Sequence, residues 1–228
     1  MVYYTGDIHG EILRVVHFIH KHHLKDTDTI VILGDVGLNF YLTNMDRTAK
    51  KKLNKFNVNI LCIHGNHEAR PQTIDTYTTK EWQGGTVYYE KEFPYLLFAK
   101  DGEVYDLDGK QSIAIGGAYS IDKDWRLNNG IPWFSDEQPS DEIKKTVINK
   151  LDSLNWNIDQ VLSHTCPYKY RPVDTFKAQI PQDQIDTSTE EWLDSIEDKL
   201  EYNRWLCGHW HINRRIDKMQ FLMQDFVD

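Results

Sequence analysis

Polar side chains of the kinds that bind metal ions follow several apolar runs in this sequence. In the stretch GNHEAR (65–70), an amide, an imidazole, a carboxylate and a guanidinium stand together just after the run VNILCI. An aspartate after a strand often caps a helix, and a histidine after an apolar run is often simply packed. Such ordinary explanations would have to coincide at five runs, which favours one shared site. The residues are Asp7 and His9, Asp35, Asn66 and His67, His164, and His209 and His211.

The elements that carry these residues can be predicted from periodicity. The runs 1–7 and 29–35 are rich in β-branched and aromatic residues and end in Gly-Asp, and segment 11–25 between them has apolar residues at helical spacing. A helix over 44–56 and a strand over 58–66 complete a second βα unit, which predicts a mostly parallel, buried sheet. Because the carboxyl ends of parallel strands meet at one edge, the polar side chains should converge in a crevice there.

The rest of the chain predicts further strands. The runs 86–90, 95–99, 103–109 and 111–118 are separated by turn residues and favour antiparallel hairpins. A helix is predicted over 140–154 with Ser140 as its N-cap. Strands over 159–165 and 204–210 then precede a final hairpin over 214–226 that turns at Asp217 and Lys218. The architecture predicted from this order is mixed α/β.

Composition restricts the function. The chain has 228 residues with 35 acidic and 26 basic side chains, a formal charge of -9, so nonspecific binding to nucleic acid or to anionic membranes is not expected. Its length and the lack of a linker predict a single domain over 1–228. The three cysteines form no paired motif and no apolar run could span a bilayer, which predicts a soluble protein of the reducing cytoplasm.

The polar motifs together resemble those of the calcineurin-like metallophosphoesterase superfamily. The resemblance extends from residue 6 to residue 211 and implies an α/β fold, with mixed β-sheets in a two-sheet sandwich flanked by helices. The motifs are GDIHG (6–10), GD (34–35), GNHE (65–68), the isolated histidine of SHTCP (163–167), and GHWH (208–211).

The resemblance implies a dinuclear metal centre. Side chains two apart on an extended strand point to one side, so the Asp-x-His and His-x-His pairs can each face the cluster while Trp210 points away into packing. Oxygen and nitrogen ligands without a thiolate suit two divalent ions per chain, with Mn²⁺ favoured and Fe or Zn²⁺ as alternatives. In the family pattern Asp7, His9 and His211 bind one ion, Asn66, His164 and His209 bind the second, and Asp35 bridges both.

The reaction implied by the resemblance is hydrolysis of a phosphate ester. A hydroxide that bridges the metals attacks phosphorus, and His67 acts as general acid toward the departing oxygen. Glu68 could orient the His67 imidazole, or could be structural while another acid does so. Arg70 could grip a phosphoryl oxygen as a bidentate fork, or could pair with an acid on the surface.

Two further segments have alternative interpretations. The loop over 119–133 contains Tyr119, Trp125, Arg126 and Trp133, and could form a substrate wall with Arg126 as a binding residue, or could simply be packed. The same alternatives apply to YKYR at 168–171. The histidines of HFIHKHH (17–23) are spaced so that some could chelate on a helix face, but a solvated helix end is the favoured interpretation.

The segment after the second Gly-Asp bears on the substrate. Protein Ser/Thr phosphatases and bacterial dinucleoside tetraphosphatases, which GDIHG and GNHE resemble, continue with Val-Asp-Arg-Gly, whereas this chain reads GDVGLNF with Leu38 and Asn39 at about those positions. The phosphate-binding arginine and the partner of His67 must therefore come from elsewhere or be absent. The GHWH ligand pair is typical of the wider superfamily, including phosphodiesterases.

We therefore predict a metal-dependent phosphoric ester hydrolase. Phosphomonoesterase activity is favoured, on a small molecule, a nucleotide or a phosphoprotein. A nucleotide phosphodiesterase or dinucleotide hydrolase is the alternative, because aromatic residues of the 119–133 loop could stack a base. A scaffold that kept the fold and lost catalysis is the third hypothesis, and gaps in the ligand set would indicate it.

Overall fold

A computed structural model describes residues 1–175 and 184–228, and their strands form two sheets of six strands each. The first sheet has the order β1-β2-β3-β6-β5-β4. Its strands are β1 (Val2–Thr5), β2 (Thr29–Ile32), β3 (Asn59–Cys62), β4 (Tyr77–Trp82), β5 (Gly85–Glu90) and β6 (Leu96–Ala99). The strands β1, β2, β3 and β6 run parallel, and β5 and β4 complete the sheet in antiparallel pairing.

The second sheet is also mixed, with the order β11-β12-β10-β9-β8-β7. Its strands are β7 (Val104–Leu107), β8 (Lys110–Ile115), β9 (Asn157–Ser163), β10 (Glu201–Cys207), β11 (Arg214–Ile216) and β12 (Met219–Phe221). The strands β8, β9, β10 and β12 run parallel, whereas β7 and β11 lie antiparallel at the two edges. The predicted hairpins are present, but β6 and β8 also pair in parallel with β3 and β9.

Helices cover the outer faces of both sheets. The helices α1 (Ile12–His22) and α2 (Asn44–Asn54) connect the first three strands, as the sequence predicts. The other α-helices of the described residues are α3 (Lys123–Asn128), α4 (Asp141–Ser153) and α5 (Ser188–Glu197). The predicted cap of α4 is confirmed, because the Ser140 side chain accepts a hydrogen bond from the Ile143 amide at 3.3 Å. The helices α3 and α5 and the strand β4 are not predicted from the sequence.

Three apolar clusters separate the layers, because alternate residues of each strand face opposite sides. In β2, for example, Ile30 and Ile32 face the helices α1 and α2, whereas Val31 faces the other sheet. Residues of both sheets fill the middle cluster, including Leu61 and Leu162. A third cluster joins the second sheet to α4 and α5. These layers confirm the predicted two-sheet α/β architecture and fix the ends of the two sheets against each other.

The cysteines and the helices were also subjects of prediction from composition. The cysteines Cys62, Cys166 and Cys207 are buried and form no disulfide bond. Among the helices of the described residues, none has the length and apolar character that crossing a membrane requires.

Replacing the cap of α4 tests the local stability of the fold. Ser140→Ala should lower the free energy of unfolding by about 1 kcal/mol, because the Ile143 amide loses its acceptor. Urea denaturation measures this change. Ser140→Asp keeps an acceptor oxygen and serves as the control, so an equal loss in both variants would contradict the assigned cap.

Candidate metal centre

The predicted ligand residues meet in one crevice between the ends of the two sheets. Those that follow β1, β2 and β3 come from the first sheet, and those that follow β9 and β10 come from the second. His9 and His211 lie on opposite sides of the crevice, and their Nε2 atoms are only 3.0 Å apart. The crevice thus brings together side chains that lie far apart in the sequence.

The first group consists of Asp7, His9 and His211. Asp7 Oδ2 lies 3.2 Å from His211 Nε2 and 3.7 Å from His9 Nε2. These ligand atoms lie within 4.8 Å of one another, close enough to hold one ion. The other oxygen of Asp7 accepts a hydrogen bond from the His209 backbone amide at 2.8 Å, which fixes the carboxylate.

The second group consists of Asn66, His164 and His209. The amide oxygen of Asn66 lies 2.8 Å from His164 Nε2 and 3.1 Å from His209 Nδ1. The Nδ1 atom of His164 lies 2.8 Å from the carbonyl oxygen of Leu33, to which it can donate a hydrogen bond. This bond would leave the lone pair of Nε2 facing the crevice, as metal-bound histidines require.

Asp35 lies between the two groups. Its Oδ1 atom is 3.5 Å from His164 Nε2, and its Oδ2 atom is 3.8 Å from His9 Nε2. Oδ1 also accepts a hydrogen bond from the His67 backbone amide at 2.8 Å, which holds the carboxylate in this position. One oxygen therefore faces each group, the arrangement that a bridging carboxylate needs.

The charge state of the residues fits divalent ions. Asp7 Oδ2 is buried and accepts no well-aligned hydrogen bond from the described residues. Burial opposes ionisation of Asp7, but the rings of His211, His164 and His9 outweigh it and hold the pKa of this carboxyl below its usual value. Burial is the main cause that lowers the pKa of His209 well below its usual value, which favours the neutral, ligating imidazole. A buried carboxylate beside neutral imidazoles is a suitable donor set for a divalent cation.

Left-handed turns, and not strand alternation, bring Asp7 close to His9 and His209 close to His211. The strand β1 ends at Thr5 and β10 ends at Cys207, so both pairs lie beyond the extended backbone. The φ angles are 43° at His9, 63° at His209 and 53° at His211, and Asp35 has a φ of 47°. Such conformations cost non-glycine residues about 1–3 kcal/mol each and cluster at functional sites.

Glycines allow the turns to approach each other closely. A Cβ atom on Gly65 would lie 2.1 Å from both the backbone nitrogen and Oδ1 of Asp35. A Cβ atom on Gly208 would lie 2.2 Å from Asp7 Oδ1. This requirement cannot be read from local sequence, because it depends on neighbours that follow other strands.

The His67 ring lies at the edge of the crevice. Its Nε2 atom is 3.9 Å from Oδ1 of Asp122, which lies in the 119–133 loop at the start of α3. The ring also contacts His9, with 5.2 Å between centroids, and burial is the main cause that lowers its pKa. His67 could join His9 and Asp35 around an ion, since their ligand atoms also lie within 4.8 Å of one another. Geometry therefore allows either a proton donor or a ligand at this position.

Glu68 contacts the backbone and not the His67 ring. It is buried, and its Oε1 atom accepts a hydrogen bond from the Gly65 amide at 3.0 Å. Burial, with the charge of Asp35, raises the pKa of this carboxyl to about 8. These contacts favour the structural interpretation of Glu68, and the acids near the His67 ring are Asp35 and Asp122.

The two predicted substrate-binding arginines are buried among protein partners. Arg70 donates to Asp101 Oδ2 at 2.6 Å and to the carbonyl oxygen of Asp136 at 2.8 Å. Arg126 Nε lies 3.1 Å from Asp122 Oδ1, and its guanidinium also contacts Ser120. Both guanidinium groups support the surroundings of the site in this structure, and phosphate binding by either stays a prediction.

A cavity of about 530 Å³ opens above the crevice. Tyr119, Arg171 and Trp210 line it together with ligand residues, and Trp210 also packs against the core cluster of the second sheet. Trp125 and Trp133 are not among its lining residues: Trp125 is 59% exposed, and Trp133 donates to Glu137 at 2.8 Å. The motif YKYR, which ends at Arg171, was the available sequence signal for the arginine of this cavity.

The histidines of HFIHKHH lie outside the centre. They belong to none of the groups of close ligand atoms found in the described residues. His17, His20, His22 and His23 are all exposed, and the last three lie at the C-terminal end of α1. The solvated helix end stays the interpretation of this motif.

Comparison with known proteins adds independent information. Residues 1–213 match the sequence model of the calcineurin-like phosphoesterase family. A crystal structure of phosphopantetheinyl hydrolase from Mycobacterium tuberculosis is similar in fold, with a TM-score of 0.51 and 14% identity, over 97% of this chain and 87% of that protein. No curated protein matches this chain significantly in sequence.

The contact at Gly65 gives a prediction for this site. Gly65→Ala should lower the free energy of unfolding by about 1–3 kcal/mol and weaken Mn²⁺ binding, because the added methyl group displaces Asp35. Denaturation and titration calorimetry measure the two effects. Gly109→Ala is the control: its φ of 77° strains any side chain, but no atom lies within 4 Å of the new Cβ. The control should lose stability without losing Mn²⁺ affinity, and wild-type affinity in Gly65→Ala would contradict the contact.

Proposed function

We propose that this chain, which belongs to the calcineurin-like phosphoesterase family, is a phosphomonoesterase that uses two Mn²⁺ ions. Membership of the family makes it a metal-dependent phosphoester hydrolase. The observation that carries the proposal is the position of Asp35 between two groups of ligand atoms, with His67 at their edge. Asp7, His9 and His211 would hold one ion, and Asn66, His164 and His209 the second. Two bound ions would supply Lewis acidity toward phosphoryl oxygens and acidify water near neutral pH.

The chain's own residues position the substrate and move the proton. His67 borders the cavity beside Asp35, where the oxygen of a departing alcohol would lie. In its protonated form His67 donates its proton to that oxygen as the bond to phosphorus breaks, so the alcohol leaves neutral. The Asp122 carboxylate faces Nε2 of His67, stabilises the charged ring and sets its orientation. In this proposal Asp122 is the acidic partner of His67, a role for which the segment GDVGLNF offers no aspartate or glutamate after Asp35.

Arg171 supports the preference for monoesters. A phosphate monoester is dianionic, and its second charge needs a partner beyond the metal ions. Arg171 lines the same cavity as His9, Asp35 and His67. Its guanidinium lies over the Tyr168 ring, 3.6 Å from the centroid, and this contact restricts the orientation of the planar group.

A nucleotide phosphodiesterase is the second candidate. Tyr119 and Trp210 line the cavity, and a base could stack on either ring. Assays of aryl monoesters, aryl diesters, a cyclic nucleotide, a dinucleoside polyphosphate and a phosphopeptide under one metal condition separate the candidates. Monoester turnover supports the proposal, whereas turnover of nucleotides alone, weakened by Tyr119→Ala, would replace it with the alternative.

Metal content and activity should depend together on Asp35. Protein reconstituted with Mn²⁺ should contain two ions per chain and hydrolyse an aryl phosphate, and chelation should abolish the activity. Asp35→Asn should lose metal and activity together, because the amide lacks the charge of a bridging carboxylate. Elemental analysis and a nitrophenyl phosphate assay measure both. Asp122→Asn is the matched control and should retain two ions. A ratio near zero in the wild type would contradict the dinuclear centre.

Substituting His67 distinguishes a proton donor from a ligand. His67→Asn should retain two Mn²⁺ ions and slow the hydrolysis of alkyl phosphates by on the order of 10²–10⁴-fold, with a smaller loss for nitrophenyl phosphate, whose leaving group needs little protonation. Asp122→Asn should show the same dependence on the leaving group, but weaker. Kinetics on the two esters and elemental analysis provide the measurements. Loss of one ion in His67→Asn would show that His67 is a ligand.

A further inference from the structure

A second cavity adjoins the metal centre. Its volume is about 330 Å³, and it shares two walls, His9 and His67, with the larger cavity. Apart from Gly10, the remaining walls come from the loop after β2 and from α2, and include Gly37, Phe40, Tyr41 and Met45. The two cavities therefore meet at the proposed proton donor.

The walls of the second cavity are apolar and ordered by specific contacts. The Phe40 ring lies nearly parallel to the His67 ring, with 6.1 Å between centroids and 22° between planes, and Tyr41 packs edge-on against Phe40 at 4.8 Å. Tyr41 is 48% exposed and Met45 is 63% exposed. Exposed apolar side chains that line a cavity offer area to an apolar ligand.

The buried carboxylate of Asp46 holds the loop in place. Its Oδ2 atom accepts a hydrogen bond from the Leu42 amide at 2.8 Å, and the amides of Tyr41 and Phe40 also face it. Leu42 itself has a φ of 53°, a strained value for a bulky residue. The cavity is thus formed before a ligand enters.

The charge of this cavity disfavours anions. Among the described residues that line it there is no lysine or arginine, and Asp46 adds a carboxylate. Leu38 and Asn39, which precede Phe40, contribute to the interior instead: Leu38 packs in the core, and Asn39 accepts a hydrogen bond from the Tyr77 hydroxyl at 2.9 Å. The loop and the start of α2 therefore present aromatic and thioether groups beside His67.

We propose that the second cavity binds the leaving group of the substrate, and that this leaving group is an uncharged, apolar alcohol. The proposal rests on the proposed function, since His67 can protonate the departing oxygen only if the alcohol lies beside its ring. The phosphoryl group occupies the metal centre while the alkyl or aryl portion packs against Phe40, Tyr41 and Met45. Esters whose alcohol carries a further phosphate or carboxylate are poor substrates, because no lysine or arginine among the described residues lines this cavity to meet that charge.

A series of alkyl phosphates tests the proposal. For the Mn²⁺-loaded protein, kcat/KM should rise from methyl to butyl to hexyl phosphate by on the order of threefold per methylene until the cavity is filled. 5-Carboxypentyl phosphate, which ends in a carboxylate, should fall well below hexyl phosphate. A flat profile, with turnover of methyl phosphate intact, would overturn the subsite and leave the phosphatase assignment standing.

A charge substitution in the cavity wall sharpens the test. Met45→Lys should lower kcat/KM for hexyl phosphate and raise it for 5-carboxypentyl phosphate, so that their ratio shifts by at least tenfold, the effect of about 1.4 kcal/mol. Leu13→Lys is the matched control, because Leu13 is similarly exposed, on α1, and lines neither cavity. The ratio should be unchanged in this control. An equal shift in both variants would attribute the effect to net charge and overturn the subsite.

Binding of 2-naphthol provides a readout without turnover. Equilibrium dialysis should show that 2-naphthol binds the wild-type protein and the Leu13→Lys control alike, and that Met45→Lys weakens its binding. If this pattern holds but no phosphate ester is hydrolysed, the proposed function fails and the apolar site stands. If naphthol binding is absent or unaffected by Met45→Lys, the subsite is wrong.

Discussion

The close contact between turns from different strands is the constraint on which the site depends. Asp35 lies against the backbone of Gly65, and Asp7 lies against that of Gly208, at distances that leave no space for a side chain on either glycine. The contact at Gly208 joins the two sheets, because Asp7 follows β1 and Gly208 follows β10. Each carboxylate also accepts a backbone hydrogen bond from the turn that it touches. The candidate ligand atoms are therefore positioned by main chain and not by flexible side chains alone.

The packed layers make this contact possible. The middle apolar cluster joins the facing sides of the two sheets and so holds their strand ends at a constant separation. Left-handed conformations at His9, Asp35, His209 and His211 are unfavourable in isolation, and the surrounding hydrogen bonds and packing must outweigh their cost. Asp7, Asp35 and His164 are buried within this frame. A rigid frame of this kind keeps several buried polar groups in place for a divalent ion.

The fold class and the convergence of the candidate ligands in one crevice could be predicted from the sequence, because hydrophobic periodicity and motif positions are local signals. It missed β4, a half-exposed edge strand, and α5, a helix after SHTCP that the analysis did not assign. It also attributed the pairing of His209 with His211 to strand alternation, whereas both lie in turns beyond β10. Asp122 could not be matched to His67, since the two residues meet only after the loop and both sheets have folded.

The division between strand ends and loops has an evolutionary consequence. The ligand groups lie at the ends of core strands, whereas Phe40, Tyr119, Ile121 and Arg171, which shape the cavities, belong to the connecting segments. Substitutions at the exposed positions of these segments leave the apolar layers and the glycine contacts in place, whereas buried positions such as Leu38 belong to the core. Divergence of these loops can therefore alter which esters are accepted while the candidate ligand groups stay in place.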